Sequence, residues 1–296
     1  MRALVTGSAG FAGPYLVRSL EADGHQVTGF DLRSGQDVRD YDAVLAAIAA
    51  CEPDLIFHLA AVAWPGESLT DPRRTLDINV TGTLNVLEAV RHSGSEARVL
   101  LAGTAGEYGY EDRPDGVVTE DSACYPTTPY GVSKLAATTL GMAYARRYGL
   151  PVVATRAFNH TGWGRQAVNA ESAFARRIVA VERGEADCVT HGDLSSGRDF
   201  TDVRDVAAAY KLAIGLEPGI YNVCSGRPVT MRHVMQALVK LARAGVVLKQ
   251  DPSLGERDHR VCPVPSGQRL KDACGWEPSI PLEDTLGWLL DYWRSR

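Results

Sequence analysis

Residues 6–13 read TGSAGFAG, and the reading of this stretch decides the fold. It follows the apolar run RALVT (2–6) directly and leads into a helical pattern expected from Phe11 to Ala22. Gly7, Gly10 and Gly13 stand at GxxGxxG spacing. Glycine lets the chain turn tightly and lets a ligand approach backbone amides, while a helix N-terminus favours negative charge. A strand, a glycine turn and a helix in that order make a cradle for the pyrophosphate of a dinucleotide. Asp31, just past the next apolar run QVTGF, completes that context. Its carboxylate would accept hydrogen bonds from both hydroxyls of the adenosine ribose and repel a 2′-phosphate. NAD is therefore the expected cofactor, with NADP possible because Arg33 stands near enough in sequence to pair with a phosphate.

Outward from this stretch, short apolar runs alternate with longer helical patterns. QVTGF, DLIFHLAA, RVLLA and PVVATR are separated by helices expected at 41–50, 75–92 and 129–148. Strands buried on both faces and separated by helices mean a parallel sheet of βαβ units, whose ligands sit beyond the carboxyl ends of the strands. Past Asn159 the rhythm loosens into CVTHG, IYNVC and helices expected at 172–183, 203–215, 231–244 and 282–294. The expected fold class is α/β, a Rossmann doubly wound parallel sheet with a smaller C-terminal substrate-binding lobe. Residues 1–159 and 188–219 are assigned to the dinucleotide-binding domain, and 160–187 and 220–296 to the lobe.

The chain has 296 residues, 45% hydrophobic and 23% charged, enough for a large core. A net charge of -5 without a basic run argues against nucleic-acid or membrane partners, so an anionic ligand must be held locally. The N-terminus enters a strand pattern at once and no apolar run approaches membrane-spanning length, so a cytoplasmic location is expected. Six cysteines without CxxC or CxxH spacing read as reduced packing residues, and no metal site is expected.

Only five of the 31 basic residues are lysines, and one of them closes the stretch YGVSK at 130–134. Residues four apart share a helix face, so Tyr130 and Lys134 point together into the cleft. A free tyrosine titrates near 10. An ammonium one turn away is expected to stabilise the phenolate, lower that value and make an acid/base pair. Thr104, in LLAGTAGEYG at the end of the fourth strand, offers a hydroxyl to orient the substrate oxygen.

With these motifs in order, the chain resembles the extended short-chain dehydrogenase/reductase family, the NAD(P)-dependent nucleotide-sugar epimerases, dehydratases and reductases. TGSAGFAG, DVRD at 37–40, HLAA at 58–61, NVTGTLNVLEAV from Asn79, YGVSK, RAFNHTG from Arg156 and GRDFTDVRDV carry the likeness. It implies a catalytic set of Thr104, Tyr130 and Lys134. It implies cofactor contacts at Gly7, Gly10, Phe11, Ala12 and Gly13, then at Asp31, Leu32 and Arg33. Further cofactor contacts are implied at Asp37 and Val38 (the adenine), Leu59, Ala60, Ala61 and Asn79, together with Tyr130 and Lys134. Substrate contacts are implied at Thr104, Glu107, Asn159, His160, Arg165, Arg198 and Arg257. A homodimer is implied too, built on the helices that begin near Thr75 and Pro129.

Within the family, FNHTGWGRQ, RDFTDVRDV, YNVCSG, RLKDACGW and IPLEDTL are similar to those of the GDP-4-dehydro-6-deoxy-D-mannose reductases, which make GDP-D-rhamnose. The resemblance therefore implies reduction of the C4 ketone of a nucleotide-linked 4-keto-6-deoxyhexose, with a GDP-sugar favoured. A 4-epimerase uses the same residues and stands as the alternative. A 4,6-dehydratase needs a further carboxylate where this chain has Ala105 and Gly106, unless Glu107 serves. A non-catalytic NAD-binding sensor would need no tyrosine-lysine pair.

Overall fold

An apolar run buried along its whole length must sit between two layers, and Leu55–His58 is such a run. The computed structural model describes residues 1–109, 116–254 and 263–296. Its first half runs β1 (Arg2–Thr6), α1 (Gly13–Ala22), β2 (Gln26–Phe30), α2 (Tyr41–Cys51), β3 (Leu55–His58), α3 (Pro65–Thr70) and α4 (Pro72–Leu76). Then come α5 (Gly82–Ser93), β4 (Arg98–Thr104), β5 (Val117–Val118), α6 (Pro129–Tyr148), β6 (Val152–Ala157) and β7 (Asn159–Thr161). The remainder is α7 (Ala170–Glu182), β8 (Val189–His191), β9 (Gly197–Arg198), β10 (Phe200–Asp202), α8 (Val203–Ala213) and β11 (Gly219–Val223). It ends with β12 (Val229–Thr230), α9 (Met231–Lys240), β13 (Leu248–Gln250), β14 (Val264–Pro265), α10 (Gln268–Cys274) and α11 (Leu282–Arg294).

Six strands form the main sheet in the order β11-β6-β4-β3-β1-β2, every neighbouring pair parallel. Alternation along each strand feeds two cores. Ala3, Val5, Leu55, Phe57, Leu100 and Val153 pack toward α1 and α8, while Leu4, Ile56, Val99, Leu101 and Val152 pack toward α2 and α5. The chain reverses direction across the sheet between β1 and β3, and a crevice at that switch point is where such sheets take ligands.

A third core joins α7, α9 and α11, through Phe174, Ile178, Val234, Leu238, Leu286 and Leu290. Val189, Leu194 and Phe200 belong to this core, although the sequence grouped 188–219 with the sheet domain. Conversely, β11 pairs with β6 across Gly219–Val153 to Val223–Ala157, so a boundary at 219/220 cuts a strand of the main sheet. Both offsets arise because pairing partners far along the chain decide which core a short strand joins.

The expected continuous helix from Thr75 to His92 is instead α4, a π-helical turn at Asp77–Thr81, and α5. The π turn carries Asn79 inward, where its side chain binds both the N–H and the C=O of Val62. By contrast, α6 has the expected bounds. Thr128 caps it through the Gly131 N–H, Pro129 opens it and Gly149 closes it in the left-handed region. Among the described residues, no helix is long and apolar enough to cross a membrane.

Candidate active site

The glycine turn is built from what its residues lack. Gly7 has φ +70°, and a Cβ there would lie 2.7 Å from the Ala60 nitrogen. At Gly13 a Cβ would run into the Ser8 and Gly7 carbonyl oxygens. The turn therefore packs directly on its own backbone and on the end of β3. Asp31 braces it from β2, accepting from Ala9 N–H at 2.9 Å and from Arg33 N–H at 2.9 Å.

A cavity of about 470 Å³ opens over this edge of the sheet. One stretch of its wall is Gly7, Gly10, Phe11, Ala12, Gly13, Asp31 and Leu32, continuing through Asp37, Val38, Leu59, Ala60 and Ala61. At the other end stand Thr104, Tyr130, Lys134, Asn159, His160 and Arg165. The residues fit a dinucleotide: α1 has no side-chain cap and no acidic residue in its first turn, so nothing of the chain's own competes for an anion there.

Tyr130 and Lys134 lie on the first turns of α6, packed against the end of β4. Close approach requires Gly131, where a Cβ would sit 2.5 Å from the Gly106 carbonyl oxygen. Thr104 and Tyr130 share this end of the cavity wall. Burial pushes the phenol above its ordinary range, and the neighbouring Thr104 hydroxyl only partly opposes that. This corrects the expectation of a lowered value. The Lys134 ammonium donates to the Ala102 carbonyl at 2.8 Å, and burial lowers it to about 8 against the upward pull of Glu107.

Glu107 is not on the cavity wall. It is fully buried behind it, accepting from Thr104 N–H at 2.9 Å and Thr138 Oγ1 at 3.2 Å, and paired with Arg156 Nε at 2.8 Å. The implied substrate contact, and the role of stand-in dehydratase carboxylate, thus meet an ion pair already closed inside the protein. Asn79 is likewise behind the wall, 1% exposed, giving its amide to Ser133 Oγ at 2.8 Å. Arg33 lies off the wall, and so does Arg198, whose Nη1 donates to the Gly197 carbonyl at 2.6 Å. Arg257 falls outside the described residues.

On the lobe side, the His160 ring stacks on Phe11 at 5.8 Å, and the Arg165 guanidinium lies 4.8 Å over the same phenyl ring. Burial and then the Arg165 charge lower His160 to about 4, so it is neutral and bonded through Nδ1 to the Phe158 carbonyl. Arg165 is held by Asn169 Oδ1 at 2.8 Å and Glu171 Oε1 at 3.4 Å. Phe11 thereby ties the glycine turn to the lobe.

Several wall residues escaped the sequence reading: Arg39, Glu67, Arg74, Asn169 and Tyr210. Arg39 stands inside the quoted DVRD motif, which was the available signal. It pairs with Asp37 at 2.6 Å, and this hydrogen-bonded pair holds the Asp37 carboxyl below its usual range. Tyr210 comes to the cavity floor from α8, and its sequence neighbourhood carried no hint of that.

These features match known proteins along the whole chain. A family model described as "NAD dependent epimerase/dehydratase family" matches residues 3–224. GDP-6-deoxy-D-mannose reductase of Pseudomonas aeruginosa is 33% identical, aligned over 100% of this chain and 98% of its own. Among solved structures, RMD from Pseudomonas aeruginosa complexed with NADPH superposes with a TM-score of 0.89 at 32% identity, covering 100% of both chains. The UDP-glucose 4-epimerase of Thermus thermophilus in complex with NAD gives a TM-score of 0.87 at 30% identity, covering 99% of each chain. A Rossmann-type parallel sheet, a glycine cradle and a paired tyrosine and lysine over one cavity are thus what this chain brings to the likeness. The chain belongs to the NAD dependent epimerase/dehydratase family, and it is an NAD(P)-dependent enzyme of the nucleotide-sugar epimerase and reductase kind.

Proposed function

We propose that this enzyme reduces the C4 ketone of a nucleotide-linked 4-keto-6-deoxyhexose, converting GDP-4-dehydro-6-deoxy-D-mannose to GDP-D-rhamnose. The observation that carries the reading is the likeness over the full length to GDP-6-deoxy-D-mannose reductase, 33% identical along 100% of this chain, which also supports the GDP-sugar preference. Tyr130, a phenol on the cavity wall, is the group assigned to deliver a proton to the ketone oxygen. A 4-epimerase begins in the opposite sense, by taking a proton from a C4 hydroxyl. The burial of Glu107 in its pair with Arg156 argues against 4,6-dehydration.

In this reading the bound nicotinamide supplies the hydride. Thr104 orients the C4 oxygen, and its hydroxyl favours the phenolate that Tyr130 becomes when the proton leaves. Lys134 stays charged below about pH 8 and compensates the negative charge that Tyr130 acquires when the proton leaves. Asn159, His160 and Arg165 are assigned to the sugar nucleotide, with Arg165 a guanidinium at that end of the cavity wall for a diphosphate. The Asp31 carboxylate, fixed by two backbone N–H groups, favours NADH over NADPH.

The test is to mix the purified protein with GDP-4-dehydro-6-deoxy-D-mannose and follow oxidation of NADH and NADPH separately. Stoichiometric oxidation, faster with NADH and reduced about 10³-fold in Tyr130→Phe, is expected. If no added cofactor is consumed while intact nucleotide sugars are inverted at C4, the enzyme is a 4-epimerase and the reductase reading fails.

A homodimer is also proposed. Leu69, Leu76 and Val132 are 65%, 41% and 45% exposed on α3, α4 and α6, where apolar surface asks for a cover. Light scattering is expected to give twice the chain mass for the native protein and the chain mass for Leu76→Glu/Val132→Glu. A native protein that scatters as a monomer removes the proposal.

A further inference from the structure

His58, at the carboxyl end of β3, is 3% exposed and absent from the cavity wall, yet both ring nitrogens are committed. Nδ1 is 2.8 Å from Thr6 Oγ1, and Nε2 is 3.0 Å from Thr83 Oγ1. The surrounding bonds fix every proton. Thr83 donates its hydroxyl to the Asn79 carbonyl at 2.7 Å, so it must accept from His58 Nε2–H. Nδ1 is then the acceptor for the Thr6 hydroxyl, whose oxygen in turn accepts from Ala60 N–H at 3.3 Å. Burial, and then the nearby Lys134 charge, lower the imidazole to about 3, in keeping with this neutral form.

Each arm of this bridge leads to a different part of the site. The Thr6 arm ends at Gly7 and Ala60, the two backbones whose close approach shapes the glycine turn. The Thr83 arm ends on the π turn at Asn79, whose side chain holds Val62 and Ser133, and Ser133 Oγ donates to the Tyr130 carbonyl at 2.7 Å. A single ring thus stands between the pyrophosphate cradle and the first turn of the catalytic helix.

We propose that His58 is a positioning residue that sets the cofactor cradle through Nδ1 and the Tyr130 turn through Nε2, two separable tasks. The claim holds whichever sugar the site takes, because Thr6, His58, Thr83, Asn79 and Ser133 all lie behind the cavity wall.

The side-chain amides of asparagine and glutamine separate the arms. His58→Asn keeps an acceptor at the Nδ1 position and loses the donor to Thr83, whereas His58→Gln keeps a donor at the Nε2 position and loses the acceptor for Thr6. Two quantities are read on the full-length protein: the Kd for NADH by calorimetry, and the Tyr130 phenol titration by carbon NMR of labelled tyrosine, assigned with Tyr130→Phe. His58→Gln is expected to weaken NADH binding about five- to tenfold, one lost hydrogen bond, with the Tyr130 titration unmoved. His58→Asn is expected to do the reverse, moving the Tyr130 titration and leaving NADH within about twofold. Val86→Ala, a core truncation on α5, lowers the melting temperature but moves neither reading. Parallel changes in both variants, or none in either, overturn the proposal and leave His58 as core filling. Should both histidine variants fail to fold, Thr6→Val and Thr83→Val remove the same two arms singly and are judged by the same split.

Discussion

Two turns leave the same edge of the sheet, one after β1 and one after β4, and they form the cavity by opposite means. The β1 turn offers backbone alone: Gly7 and Gly13 have no room for a Cβ, and the carboxylate that braces it, Asp31, is satisfied by backbone N–H groups. The β4 turn offers a hydroxyl, Thr104, and hides charge behind it, with Glu107, Arg156 and Lys134 all nearly excluded from solvent. The first turn tolerates no added atom, and in the second the Glu107–Arg156 pair tolerates the loss of neither partner. A buried ion pair is strongly destabilising to break because the surviving partner keeps its desolvation cost without compensation.

The largest effect should therefore come from Glu107→Gln. It preserves shape and leaves the Arg156 side chain, 4% exposed, without its carboxylate. A loss of about 3 to 5 kcal/mol in unfolding free energy is expected by denaturant titration. The comparison breaks if the variant keeps native stability and loses activity, for then Glu107 acts in the chemistry and the dehydratase reading returns.

Much of the β1 half was legible in the sequence because its determinants are local. A glycine spacing, the strand before it and the helix after it lie within one short stretch, and the bounds of α6 follow from Thr128, Pro129 and Gly149 in the same way. In the β4 half the sequence pointed to Thr104, Tyr130 and Lys134, which share one cavity wall, and to little else. Glu107 looked like a candidate for the cavity because its partner Arg156 comes from β6, 49 residues on. Asn79 had the same difficulty, since its bond to Ser133 spans 54 residues. Nothing in the helical periodicity from Thr75 to His92 signals that a π turn will rotate Asn79 away from a ligand and into a clamp. The bounds at 188 and 219 meet a related difficulty, as β8 and β11 are short strands whose pairing partners, β13 and β6, lie far along the chain.

The smaller prediction concerns Lys134, the cation of the β4 half that reaches the cavity. Its value of about 8 lies below the ordinary 10.5 because burial disfavours the ammonium. Below pH 8 the amine is charged in both folded and unfolded chains, so the folded state carries the whole cost. Between pH 8 and 10.5 the folded protein has released the proton while the unfolded chain still holds it, and stability therefore rises with pH through this window. Lys134→Met removes the group and its cost. The cofactor-free variant is expected to gain about 2 to 3 kcal/mol over the native protein at about pH 7, and that advantage should shrink toward about pH 10. Denaturant titrations of both proteins across that range measure the difference directly, with other titrating groups cancelling between them. A difference flat in pH would mean that the hydrogen bond to Ala102 and the pull of Glu107 offset burial fully. The β4 turn would then hold its charges without strain, and the contrast with the glycine turn would rest on Glu107 and Arg156 alone.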